Sequence, residues 1–160
     1  MLDIAKHKTL WIIRKYKNPE EYSKGNAYDT VEIEGNLLLN EGITRLQNLL
    51  IGGGGTAFNN ANAYIGVGDS SAGAVATQTA LQATTNKLYK AMEATYPQIA
   101  NQTTTWRSVF GSSEANFAWN EFTVANGNSD SAENLNRRVS AQGTKASGQT
   151  WTIDLQITWS

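Results

Sequence analysis

The sequence reads as a mainly β protein: a β-sandwich or jelly-roll-like domain with one short helix and an extended N-terminal arm. Three observations carry that reading. About eight short segments alternate apolar and polar residues with the two-residue period of a half-buried strand. Clusters of Gly, Asn, Ser and Asp separate those segments at short spacing, as in sandwiches and barrels. One stretch alone follows the 3.6-residue period of a helix.

In chain order, residues 1–28 stand apart by charge. Lys6, Lys8, Arg14, Lys15 and Lys17 make the start basic, and Glu20, Glu21, Asp29, Glu32 and Glu34 follow. "TLWIIRKYK" (9–17) has the look of a strand, and its polarity places it at a sheet edge. The basic and acidic blocks read either as two solvated faces or as an arm that docks on an acidic partner surface. On the second reading Lys6, Lys8, Trp11, Arg14, Lys15 and Lys17 are the partner-binding residues. The expected division is an arm over 1–28 and a sandwich domain over 29–160.

"TVEIEGNLLL" (30–39) puts Val31, Ile33, Leu37 and Leu39 on one side and Glu32, Glu34 and Asn36 on the other. Gly35 falls in the apolar row and marks a bulge or a close approach. "NEGITRLQNLLIGGGG" (40–55) is the helix, with Asn40 as its N-cap, Ile43, Leu46, Leu49 and Leu50 on one face, and four glycines to stop it. "NAYIGVGDS" (62–70) is a short strand running into a turn, with Asp69 and Ser70 as turn formers. "SSAGAVATQTALQATT" (70–85) is a small, polar loop. "KLYKAMEATYP" (87–97) fits a strand, since Leu88, Met92 and Tyr96 share a parity. "TTWRSVFGSSEANFAWNEFTVANG" (104–127) reads as a hairpin around "GSSEAN", with a bulge near Asn120–Glu121. "LNRRVSAQGTKASGQTWTIDLQITWS" (135–160) holds two strands. In the second, Trp151, Ile153, Leu155, Ile157 and Trp159 form a buried row, while Thr152, Asp154, Gln156, Thr158 and Ser160 form a wet one.

Several chemistries are disfavoured by the residues present. The chain has no cysteine, and His7 is its single histidine, so thiolate chemistry, zinc and histidine-based triads find no material. Net charge is −1, which does not suit wholesale binding of nucleic acid. No apolar run approaches the roughly 20 residues of a membrane span, and the start lacks a signal peptide's apolar core. No Walker-type phosphate loop occurs, and the glycines at 52–55 follow a helix where a phosphate cradle would precede one. No cofactor is expected. Charged residues are 17% of the chain, under the usual quarter, so Asn, Gln, Ser and Thr must supply the polar surface. Glu114 precedes and Glu121 lies within the aromatic run "NFAWNEF" (116–122), and with Trp106, Phe117 and Trp119 they would suit a saccharide site. The competing reading places those aromatics in the sandwich core.

Three phrases taken together resemble a known group: "GNLLLNEGITRLQNLLIGGGGTAFNNANAYIGVGDS", "FGSSEANFAWNEFTVANG" and the closing "LNRRVSAQGTKASGQTWTIDLQITWS". The chain resembles small virion structural proteins carried in tailed-bacteriophage structural gene sets, over roughly residues 30–160. The resemblance implies a non-enzymatic head decoration (cement) protein on the capsid surface. Its partner would be the major capsid protein, its own state a homo-oligomer, typically a trimer, with no nucleic acid or membrane bound. A tail or receptor-binding fibre component is the alternative, and a carbohydrate-binding module the second alternative.

Overall fold

The computed structural model describes residues 6–160. It is a mainly β sandwich of two five-stranded antiparallel sheets. The strands are β1 (His7–Tyr16), β2 (Asp29–Glu34), β3 (Leu37–Leu38), β4 (Tyr64–Gly68), β5 (Lys87–Ala91), β6 (Gln98–Ala100), β7 (Thr103–Phe110), β8 (Glu121–Ala125), β9 (Asn136–Val139) and β10 (Thr150–Trp159). Two helices join them, α1 (Pro19–Ser23) and α2 (Asn40–Leu50). The first sheet runs β2-β1-β10-β7-β6 and the second β3-β9-β8-β4-β5.

The alternating row of β10 explains its place at the centre of the first sheet. Trp151, Ile153, Leu155 and Ile157 are all buried, and β10 pairs with β1 along its full length, from His7↔Trp159 to Tyr16↔Thr150. Facing them from the second sheet are Ile65, Val67, Phe122 and Val124. Trp119 sits at the middle of an aromatic cluster, edge-on to Phe110 at 4.8 Å, Trp151 at 5.0 Å and Phe122 at 6.4 Å. Such edge-to-face pairs add about 0.5–1.5 kcal/mol each beyond area burial.

The structure corrects the expected arm. β1 is no edge: it lies between β2 and β10, with Trp11 and Ile13 in the core. Residues 7–28 therefore belong to the domain, and residues 1–5 of the expected arm fall outside the described residues. The basic character misleads because Arg14 and Lys15 are paired inside the fold. The second helix follows from a start signal in "NPEE": the Asn18 side chain accepts from the Glu21 amide, Pro19 occupies the first turn, and Glu20 and Glu21 suit its positive end.

Other expectations shift with the sandwich crossings. β7 and β8 do not form a hairpin; they lie in different sheets, and 111–120 carries the chain across the core edge. Gly35, at φ 85°, is the corner where the strand row of 30–39 leaves the first sheet for the second. In α2 the N-cap position is Leu39, buried and without a side-chain cap bond, and Asn40 is already helical. Its inner face is also rotated from the expected one. Gly42 is its buried residue and Leu46 packs against the core, whereas Ile43 and Leu50 are exposed. The absence of a Cβ at Gly42 sets that rotation by letting the helix rest on the backbone of Leu135.

Candidate functional site

The outer face of the first sheet holds the most developed polar site. Pairing across β1, β10 and β7 sets Ile12, Asp154 and Arg107 in one row and Arg14, Thr152 and Val109 in the next. Asp154 is only 1% exposed, although its row was expected to be wet. Arg107 donates to it twice, from Nε at 2.7 Å and Nη2 at 2.6 Å, and Arg14 donates from Nη1 at 3.0 Å. Burying a lone carboxylate at that depth would be costly; two guanidiniums make its burial tolerable.

α1 and the turn after β5 close over this row. The Tyr22 hydroxyl donates to Glu93 Oε1 at 3.2 Å, the Tyr22 ring meets Tyr16 edge-on at 5.3 Å, and the Arg107 guanidinium stacks 4.6 Å from the Tyr96 ring. A cavity of about 180 Å³ remains between Arg14, Tyr16, Tyr22, Glu93, Arg107 and Thr152. That is below the roughly 300–1,000 Å³ typical of small-molecule sites. The hydrogen bonds it donates to Asp154 raise the Arg107 guanidinium well above its ordinary range against the opposing effect of burial. Burial and the neighbouring Glu93 carboxylate raise the Tyr22 phenol. The two arginines and two carboxylates balance, and every charge is held by a partner. The arrangement braces α1 and the 93–96 turn against the sheet.

A second buried ion pair braces the other sheet. Arg137 Nε donates to Glu121 Oε2 at 2.8 Å and Nη2 lies 2.6 Å from the same oxygen, both residues being fully buried. Glu121 also accepts from the amides of Gln82 and Ala83, and Arg137 Nη1 donates to Gln78. The polar loop 70–85 is thereby tied down on the face of the second sheet. Lys145, fully buried, donates to the Gly111 carbonyl at 2.7 Å and Asn116 Oδ1 at 2.8 Å. Burial pushes its ammonium down to about 8, with Glu114 opposing.

The six basic-arm positions do not form one surface. Trp11 is in the core, 5.7 Å from the Phe122 ring. Arg14 holds Asp154. Lys15 is buried, donating to the Gln142 carbonyl at 3.0 Å, paired with Asp29 at 2.8 Å and stacked over Trp151 at 4.9 Å. Lys6, Lys8 and Lys17 stay exposed, Lys8 near Glu34 at 3.3 Å. The exposed His7 ring lies 5.7 Å from Trp159. Glu114 and Glu121 are spent on different partners, Glu114 on Lys90 and the Gly111 amide, Glu121 on Arg137. Trp106 and Trp119 are core residues whose indole N–H groups donate to the Phe58 and Ala115 carbonyls. Among the described residues no group of three or more His, Asp or Glu side chains is placed to hold a metal ion.

No family model, curated protein or solved structure matches this chain. The site's members therefore rest on geometry alone. Parity assigned Asp154 to solvent, and the spacing gave Arg107 no role. The available signal was composition, because aspartate is depleted in strand centres and one placed there needs a partner.

Proposed function

We propose that the protein is a non-enzymatic bacteriophage virion component, a capsid decoration protein that binds the outer surface of the head as a homo-oligomer and stabilises it. The three phrases across residues 30–160 supply the phage context. From the structure, the observation that supports a contact role is an apolar ridge at the end of α2. Leu50 is 86% exposed, Ile51 79%, and Ile43 on the same helix is exposed as well. Soluble domains seldom leave large aliphatic side chains side by side in water unless another surface covers them. The buried charges, in contrast, are consumed by internal braces, which suits a rigid part more than a reaction centre.

The partner surface of this reading differs from the basic arm. It uses α2's ridge and leaves Trp11, Arg14 and Lys15 to the fold. The test is reconstitution. Heads purified without tails and lacking this protein are mixed with wild-type protein and with a Leu50→Lys/Ile51→Lys double variant. Saturable binding by the wild type and loss of binding by the folded variant support the reading. Absence of wild-type binding, together with recovery of the protein on tails, replaces it with the tail-component reading.

A further inference from the structure

The ladder between β3 and β9 opens after two residue pairs. Leu38 faces Asn136 and Leu37 faces Arg137, and there the chain turns away at Gly35. Arg138 and Val139 keep β8 on one side, paired with Phe122 and Glu121, and among the described residues have no strand on the other. A cleft of about 360 Å³ occupies the vacated place, lined by Asn36, Leu37, Ala74, Arg137, Arg138 and Val139.

Unpartnered polar atoms collect around that cleft. Asn36 buries both Nδ2 and Oδ1 without a hydrogen bond, and Arg138 buries Nε in the same state. Buried polar groups are satisfied in the great majority of native structures, so several gathered at one opening need an explanation. The two arginines also differ. Arg137 is neutralised by Glu121, whereas Arg138 has no carboxylate partner among the described residues. The cleft thus offers an uncompensated guanidinium, an uncovered strand edge, and apolar walls from Leu37, Ala74 and Val139.

We propose that this cleft binds an extended acidic segment of a partner protein, which adds as a strand beside Arg138–Val139. The segment's carboxylate meets the Arg138 guanidinium. Its neighbouring aliphatic side chain rests on Leu37 and Val139. Strand addition supplies the main-chain bonds, and the charge selects the sequence. This site is separate from the α2 ridge and does not depend on the virion reading.

The test is a titration of the full chain followed by amide NMR, using a capped Val-Glu-Val-Glu peptide. Saturable shifts centred on Asn36, Arg138 and Val139 are expected. The matching Val-Gln-Val-Gln peptide and a backbone N-methylated Val-Glu-Val-Glu should each bind about tenfold more weakly or worse, the loss expected for one charge-assisted bond or for the missing main-chain bonds. Arg138→Gln should reproduce the loss with the acidic peptide alone; the two altered peptides keep the test valid if that variant unfolds. No shifts at the cleft with the acidic peptide overturn the proposal. So does equal binding of the glutamine peptide. Inorganic phosphate that displaces the acidic peptide while N-methylation has no effect would mean simple anion binding, and would overturn strand addition.

Discussion

Replacing Gly42 with alanine should destabilise the protein even though the residue lies in a helix. Helix propensity by itself favours alanine over glycine by about 0.8–1 kcal/mol. At this position, however, a Cβ would lie 2.4 Å from the Leu135 carbonyl oxygen, 2.5 Å from its Cα and 2.7 Å from its carbonyl carbon. Those are backbone atoms leading into β9, so no side-chain rotation relieves the overlap. Ordinary contact requires α2 to move roughly 1 Å off the sheet, and overpacking of that kind costs about 1–3 kcal/mol or somewhat more. The upper part of that range applies, because the obstacle is backbone. The clash therefore outweighs propensity, and the net loss is about 1–2 kcal/mol, a fall in Tm of roughly 2–8 °C for a chain of this size. The assay is urea unfolding followed by tryptophan fluorescence, with Thr44→Ala as the control. Thr44 is exposed on the same helix, so its alanine variant should gain a few tenths of a kcal/mol from propensity alone. A Gly42→Ala variant as stable as Thr44→Ala would refute the close seating of α2 on Leu135.

Asp154→Ala should cost about 3–5 kcal/mol in the same assay, because it strands Arg14 and Arg107 without their shared carboxylate; a loss under about 1 kcal/mol would show the brace to be peripheral. Trp151→Ala should cost about 3–5 kcal/mol, whereas Trp159→Ala should cost far less, since Trp159 is 40% exposed; equal costs would place both rings in the core. For Lys145 the folded value near 8 lies below the ordinary 10.5. Between them the unfolded chain holds the extra proton, so stability attributable to this group rises with pH across that window and is lowest below it. Measured against Lys145→Met, the wild type should gain stability from about pH 7 to about pH 10; a flat difference contradicts the buried, depressed amine.

The sandwich could be read because its strands keep strict parity where one face is apolar. β10 is the clearest case, with Ile153, Leu155 and Ile157 fixing its register against a core. Parity failed where both faces are covered. Asp154 and Thr152 occupy the polar row of β10 yet are buried, because α1 and the 93–96 turn close over them. Local spacing says nothing of a cover supplied by Glu93 and Tyr22, some 70 residues apart. The same limit produced the expected hairpin at 104–127, since two strands joined by a short loop can pair or can cross between sheets. It also produced the basic arm, whose Arg14 and Lys15 find their acids at Asp154 and Asp29. The apolar ridge of α2 lay in plain view as Leu50–Ile51, but periodicity assigned Leu50 inward because the inward rotation imposed by Gly42 is a packing effect.

Quantitative mass spectrometry of purified, tail-free heads bears hardest on the decoration proposal. If the protein decorates heads, it stays with them through gradient purification at a copy number comparable to, or a simple fraction of, the major capsid protein, and it is released as an oligomer. If it is absent from heads, or found only with tails at a few copies per particle, the decoration proposal is contradicted.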